Sequence, residues 1–370
     1  MGQIRSMKAL LISGIYRPEI GGPATYLPKL ANQLLDQGGQ AEVITLKDSK
    51  ADPIVEPWKV NCLIRNQNIL ARIIKTSLLI VKKAKKVDTV FANGLFQETA
   101  IGLLFLKKKS VAKVVGDPVW ERARNKGRTS LNIVDFNNSK LSINQRLQRL
   151  FIRWSLNRFS VITCPSLELK SIITNWGVSK PIEFIPNGVV VSEYENTDKY
   201  YDLVSVSRLV NWKNIDKLIR ASAKTKSKLA IIGSGPEEIA LKKLAKELNA
   251  PVEFLGQLDE EDVKKSLARS RIFALLSDYE GLSFALLQAM ACGIPSVVSD
   301  VKGNSDVIRN EVEGLVVNID NQVEIENAIE KLLGSTELLA KYGAAAKLRV
   351  KNEYEQKNQI NKVINLMRAK

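Results

Sequence analysis

The sequence predicts an α/β protein built from two doubly wound parallel sheets. Three observations carry this. Strand-like and helix-like segments alternate along all 370 residues. The strand-like segments are short, apolar and β-branched instead of alternating apolar with polar, as parallel strands covered on both faces are. The alternation also restarts after a polar boundary that begins at Ile185-Pro186-Asn187-Gly188 and continues through the stretch 192–201. At about 150 residues per domain the length suffices for two cores. The expected division is a Rossmann-like domain at 1–185 and a second at 186–354, facing each other across a cleft.

The first strand is expected at 8–13, where the apolar run Ala9 to Ile15 imitates a signal peptide. That run is too short for one and meets Arg17-Pro18-Glu19 where a cleavage site would stand. A helix at 23–36 follows, opened by Gly21-Gly22-Pro23. Strands at 41–46, 87–92, 111–115 and 160–164 are separated by helices at 68–86, 96–106 and 144–158, with another helix at 167–175. The second half repeats the scheme with strands at 203–206, 229–232, 252–255, 272–276, 296–299 and 315–317. Its helices fall at 215–223, 236–248, 260–268 and 282–292, and further helices complete the chain.

Composition narrows the chemistry. The chain has no histidine, which excludes a Ser-His-Asp triad, a Cys-His pair, His-ligated metals and His as a general base. Acid–base work must fall to carboxylates, Lys, Tyr or Cys. Cys62, Cys164 and Cys292 are odd in number and far apart, so they read as small apolar residues of a reducing compartment, not as a disulfide framework or metal cluster. No apolar stretch approaches the roughly 20 residues of a membrane span. The expected location is the cytoplasm.

The net charge of +16 is unevenly placed. Residues 1–185 hold 29 Lys and Arg against 13 Asp and Glu, whereas the remainder holds 26 against 26. Much of the excess falls on the helices at 68–86 and 144–158. Either suits an anionic membrane surface; a helix packed on a sheet with a solvated basic face fits the same pattern. Nucleic acid is not an expected partner, because no RNA-binding signature, zinc finger or interleaved aromatics accompany the charge.

Several loops at predicted strand ends suit a phosphate or sugar. Gly21 and Gly22 let the backbone approach a ligand ahead of a helix start, and a plain Gly-rich turn is the alternative. Gly233-Ser234-Gly235-Pro236 opens like a dinucleotide fingerprint, but Glu238 stands where the third glycine belongs. Arg208 and Lys213 leave one strand end within a few residues, in position to neutralise a diphosphate without a metal, and ordinary surface Lys and Arg are the alternative. The most specific stretch runs from Ser277 to Gly293. In it Glu280 and Gly281 form a turn, and Leu282, Ser283, Phe284 and Ala285 lead into an apolar helix. Glu280 can accept hydrogen bonds from sugar hydroxyls. Gln288 lies eight residues on, about 12 Å along a helix, roughly the reach from a sugar across a diphosphate to a ribose.

Taken together, these motifs resemble the retaining glycosyltransferases of family 4. The resemblance also rests on Tyr16 to Gly22, Ile185 to Val189, Ser207 to Asn214, and Phe254-Leu255-Gly256. It implies the GT-B fold, with a final helix at 355–370 that returns to the first domain. It further implies transfer of a hexose from a nucleoside diphosphate sugar, without a metal or other cofactor, to a hydroxyl of a glycan or lipid-linked acceptor. Such an acceptor would place the protein peripherally at the inner membrane face. Carried over residue by residue, Gly21, Gly22, Arg208 and Lys213 would serve the diphosphate. Glu280 would contact the donor sugar, and the backbone from Gly281 to Ala285 would hold sugar and phosphate. The loop from Phe254 to Leu258 would border the base. Two departures stand out. Gln288 occupies the place of the family's second carboxylate, and the histidine often found in the first domain is missing. Asp117, just after a strand, is expected to stand in for that histidine, with a plain N-cap as the alternative. A nucleotide-sugar epimerase of the same fold and a non-catalytic sugar-nucleotide-binding protein share these features.

Overall fold

The computed structural model describes residues 6–19, 21–48, 55–191 and 198–369. Ile20 and residues 192–197 of the boundary stretch lie outside them. The chain divides into two compact units, one comprising the chain through Pro186 with Lys357 onward, the other Asn187–Gln356.

In the first unit seven parallel strands form one sheet: β1 (Lys8–Ser13), β2 (Gln40–Lys47), β3 (Lys59–Ile64), β4 (Thr89–Asn93), β5 (Lys109–Lys113), β6 (Val161–Cys164) and β7 (Ile182–Phe184). Their order is β3-β2-β1-β4-β5-β6-β7, so the winding reverses between β1 and β4. The central strands are buried along their length, which is why they read as continuous apolar runs. The edge strands β3 and β7 escaped the sequence reading. β3 has no buried residue and carries Asn61 in mid-strand, and β7 is three residues long.

Helix α1 (Gly22–Asp36) connects β1 to β2, and α2 (Ile69–Ala84) leads into β4. The short α3 (Phe96–Gly102) follows β4; the expected helix was longer, but 103–106 form turns. Between β5 and β6 come α4 (Pro118–Asn125), α5 (Ile133–Asn138) and α6 (Ile143–Leu156); α7 (Leu167–Asn175) precedes β7. Asn68 caps α2 and Ser142 forms a capping box with Gln145 on α6, which fixes where both helices start.

The second unit holds six parallel strands: β8 (Tyr201–Val206), β9 (Leu229–Ile232), β10 (Val252–Gly256), β11 (Ser270–Leu275), β12 (Ser296–Ser299) and β13 (Gly314–Val317). Their order is β10-β9-β8-β11-β12-β13, with the reversal between β8 and β11. Two apolar clusters fill the two faces. Phe273, Leu286 and Met290 belong to one, and Leu203, Ile219 and Ile329 to the other. The helices are α8 (Ile215–Thr225), α9 (Glu238–Glu247), α10 (Glu260–Ala268), α11 (Phe284–Ala291), α12 (Lys302–Ser305), α13 (Gln322–Leu333) and α14 (Thr336–Glu353). The last helix, α15 (Gln356–Arg368), packs with the first unit, where Gln33 on α1 and its C-cap Gln37 both donate to Asn361 Oδ1.

Candidate active site

In open α/β sheets, ligands bind beyond the carboxyl ends of the strands at the point where strand order reverses. In the second unit that point lies between β8 and β11, and both strands lead into loops stitched to each other. Asn214 adopts a left-handed backbone (φ 51°). Its Nδ2 donates to the Leu276 carbonyl at 2.7 Å and to Asp278 Oδ1 at 2.6 Å. The Asp278 N–H donates to the Trp212 carbonyl at 2.8 Å. These bonds hold Lys213, from the β8 loop, against Glu280, from the β11 loop, and the two side chains form an ion pair.

Glu280 is 8% exposed, and its Oε1 also accepts the Ser277 hydroxyl at 2.7 Å. Behind it, Ser299 Oγ donates to the Ser277 carbonyl at 2.6 Å and Asn304 Nδ2 donates to Ser299 Oγ at 3.0 Å. This buried polar chain fixes the Glu280 rotamer from the core side. Gly303 completes the support by close approach, since a Cβ there would lie 1.8 Å from the Glu280 carbonyl oxygen.

Beyond Glu280 the chain turns through Gly281 and Leu282 into α11. Ser283 is the N-cap, its Oγ accepting the Leu286 N–H. The N–H groups of Phe284 and Ala285, in the first turn, have no intrahelical acceptor and suit an anion. Asn187 holds this turn by donating Nδ2 to the Leu282 carbonyl at 3.0 Å. Gln288 is half-buried on the second turn of α11. Arg208 is exposed at the end of β8. Lys213, from the loop after β8, and Glu280, from the loop that leads into α11, thus form an ion pair, with Arg208 on the same loop as Lys213. Ser277, Asn187, Asn304 and Gly303 were missed. The Ile185 to Gly188 motif was the one available signal for Asn187.

The glycines after β9 have a packing reason. A Cβ on Gly233 (φ +132°) would lie 1.9 Å from the Ser207 carbonyl oxygen, and one on Gly235 2.2 Å from that of Leu209. The loop after β9 therefore lies directly against the loop that carries Arg208.

The remaining expected residues belong to the first unit. Gly21 is the N-cap of α1 and Gly22 its first residue. Arg65 braces the preceding loop by donating to the Gly14 carbonyl and pairing with Glu19. Asp117 departs from its expected role. It is fully buried at the N-cap of α4, with Oδ1 accepting the N–H groups of Val119 and Trp120. Its Oδ2 accepts Asn137 Nδ2 at 3.0 Å and Arg149 Nη2 at 2.7 Å. Four donors saturate the carboxylate, and no face is left to exchange a proton with a ligand. It is the hub of a buried cluster, where Arg149 also stacks on Trp176 and Trp176 donates to Asn137. Among the described residues, no three His, Cys, Asp or Glu side chains are grouped to hold a metal ion.

The geometry has counterparts. Residues 191–349 match the family described as Glycosyl transferases group 1, and residues 20–193 match Glycosyltransferase Family 4. One similar curated protein is a GDP-mannose-dependent monoacylated phosphatidylinositol monomannoside mannosyltransferase of Corynebacterium glutamicum. It is 28% identical over 54% of this chain and 60% of its own length. Another is a Campylobacter jejuni N-acetylgalactosaminyltransferase acting on an undecaprenol-diphosphate-linked sugar, 30% identical over 50% of this chain and 53% of its own. The matched region thus spans between half and three-fifths of these relatives. Among solved structures, the sucrose-phosphate synthase of Thermosynechococcus elongatus superposes with a TM-score of 0.79 at 20% identity, covering 98% of both chains. HepE of Anabaena, solved with UDP-glucose, gives 0.77 at 19% identity over 97% and 99%. Both share the GT-B architecture of paired parallel sheets. The two family matches together run from residue 20 to residue 349, and the chain belongs to the family 4 glycosyltransferases.

Proposed function

We propose that this protein moves a hexose from a nucleoside diphosphate sugar to a hydroxyl of a glycan or lipid-linked acceptor, with retention at the anomeric carbon and without a metal. The observation that carries this is the Lys213–Glu280 pair at the β8/β11 reversal, set beside the open N–H groups at the start of α11. Glu280 offers acceptor oxygens to sugar hydroxyls. Lys213, Arg208 and the first-turn amides of α11 supply positive potential where negative charge develops on the leaving diphosphate, the role a metal fills in other transferases. Because Lys213 already pairs with Glu280, its ammonium is held in place before the donor arrives. Little reorganisation is then needed as the glycosidic bond breaks. Gln288 bonds the ribose hydroxyls through its amide.

The reading is tested by thermal stabilisation with UDP-, GDP- and ADP-sugars, followed by nucleoside diphosphate release with acceptor added. Stabilisation by one donor that disappears in Arg208→Ala and Glu280→Ala is expected. A donor that stabilises both variants as well as wild type would overturn the assignment. Turnover of the donor with no acceptor present would indicate an epimerase.

A further inference from the structure

Two helices of the first unit expose what soluble helices bury. On α6, Ile143, Leu147, Leu150 and Phe151 are each between 41% and 78% exposed. Their spacing of four, seven and eight residues places them in one stripe. It lies opposite the buried face made by Arg149, Ile152, Ser155 and Leu156. On α2, Leu70, Ile74 and Leu78 are 58% to 70% exposed at spacings of four, in a stripe that borders the buried face made by Thr76, Ser77, Ile80 and Ala84. The short α3 packs against both helices, so the stripes belong to one layer. Just past α3, Phe105 is 92% exposed.

The charge carried by the two helices has one sign. Neither α2 nor α6 contains an Asp or Glu, and no acidic residue occurs between Asp135 and Glu168. Lys82, Lys85 and Lys86 are exposed at the end of α2, Lys107 beside Phe105, and Arg146, Arg153 and Arg158 along and after α6. Apolar stripes on helices whose own charges are all cations match the interfacial zone of an anionic bilayer, in which apolar side chains enter the acyl boundary and cations meet headgroup phosphates. A protein partner would have to supply a continuous acidic rim together with complementary apolar pockets for two separate stripes; a fluid lipid surface supplies both without fixed shape.

We infer that the outer face of α2 and α6, with the exposed Phe105 that follows α3, is a docking surface that seats the first unit on an anionic lipid bilayer. The inference stands apart from the transfer reaction and is read without it. Vesicles of phosphatidylcholine alone and of phosphatidylcholine with phosphatidylglycerol in about equal parts are sedimented with the full chain at low and high salt. Binding to the mixed vesicles and not to the neutral ones is expected. Leu147→Glu with Leu150→Glu, and separately Ile74→Glu with Leu78→Glu, should each lower the partition coefficient at least about tenfold. Changing Lys82, Lys85 and Lys86 to Gln should lower it and flatten its salt dependence. All these positions are exposed, so unchanged melting curves verify folding. Three outcomes overturn the inference: equal binding to neutral vesicles, Glu variants that bind like wild type, or concentration-dependent self-association in lipid-free buffer that the Glu variants abolish. The last would assign the face to a second copy of the chain.

Discussion

Lys213 and Glu280 are 67 residues apart in sequence and meet as an ion pair because Asn214 and Asp278 bind the loops after two adjacent parallel strands to each other. The pair is the link between a sheet topology and a charge arrangement: neither loop alone would hold its side chain in place. Replacing Glu280 by Gln keeps the shape and the Ser277 contact but removes the charge that orients Lys213. Replacing Lys213 by Met leaves Glu280 with Ser277. Each change is expected to lower kcat/KM by about a hundredfold or more, the scale for losing one preorganised electrostatic group. The double variant should lose less than the two losses combined, because the groups act as a unit. Steady-state kinetics on the four proteins of the cycle decides this; full additivity would separate the residues' roles.

Gln288 provides a gain-of-function test. It stands on the second turn of α11, eight residues after Glu280, and in the proposed function its amide offers ribose hydroxyls a neutral acceptor. Gln288→Glu places a charged acceptor at the same point, and a charge-assisted hydrogen bond is roughly twice as strong as a neutral one. Donor affinity is expected to rise several-fold, read by calorimetric titration of the nucleoside diphosphate. Weaker binding in the variant would show that the half-buried site does not tolerate a carboxylate.

Asp117 is expected to act on stability. Asp117→Ala removes the N-cap of α4 and leaves Arg149 charged and buried without its partner, a loss of about 3–5 kcal/mol. Asp117→Asn retains an acceptor for the Val119 and Trp120 amides and should recover part of it. Urea denaturation followed by circular dichroism measures both. A native-like midpoint for Asp117→Ala would remove the cluster from the account of the fold.

Lys113 is the reverse case. It is 1% exposed on β5, its Nζ has no hydrogen-bond partner, and it sits 4.5 Å from the ring of Tyr26. Burial brings its pKa down from 10.5 to about 8. Below about pH 8 the native state carries the charge at a cost. From there to pH 10.5 the native lysine is neutral while the unfolded one still binds a proton. The contribution to stability therefore rises with pH across that window. Lys113→Met is expected to stabilise the protein at pH 7 by up to about 3 kcal/mol, the equivalent of that shift. The advantage should shrink as pH approaches 10. Paired denaturation curves of variant and wild type at several pH values cancel all other titrations.

What could be read from the sequence follows the range of the interactions. The turn at Glu280-Gly281 and the helix after it are local, and so were visible as a carboxylate, a glycine, a capping serine and an apolar run. The central strands announced themselves because burial on both faces makes them uniformly apolar. Edge strand β3 did not, since it has no fully buried residue. Asp117 looked like an available acid because its partners Asn137 and Arg149 lie 20 and 32 residues away, and nothing near Asp117 in sequence shows that its oxygens are taken. Lys213 was read toward a phosphate for the same reason, with its pairing to Glu280 hidden in the contact between two loops.

Gly303 shows how tightly the site depends on backbone packing. It opens no turn of unusual conformation, unlike Gly233, so its requirement is purely steric. A methyl group there would sit 1.8 Å from the Glu280 carbonyl oxygen and 2.9 Å from the Glu280 Cβ. Since neither atom is the end of a flexible chain, Gly303→Ala must move the backbone that carries Glu280. A displacement of about 1 Å in a group that orients substrate is worth roughly a hundredfold in rate. The variant is expected to lose activity on that scale, with the loss falling on kcat more than on KM. Arg208, on the loop after β8, and Gln288, on the second turn of α11, are the residues proposed to hold the nucleotide, and they should keep most of the donor affinity. Kinetics and a melting curve on the same preparation separate the possibilities. A lower melting temperature with unchanged kcat would mean that the backbone yields elsewhere and that the position of Glu280 is not set by Gly303.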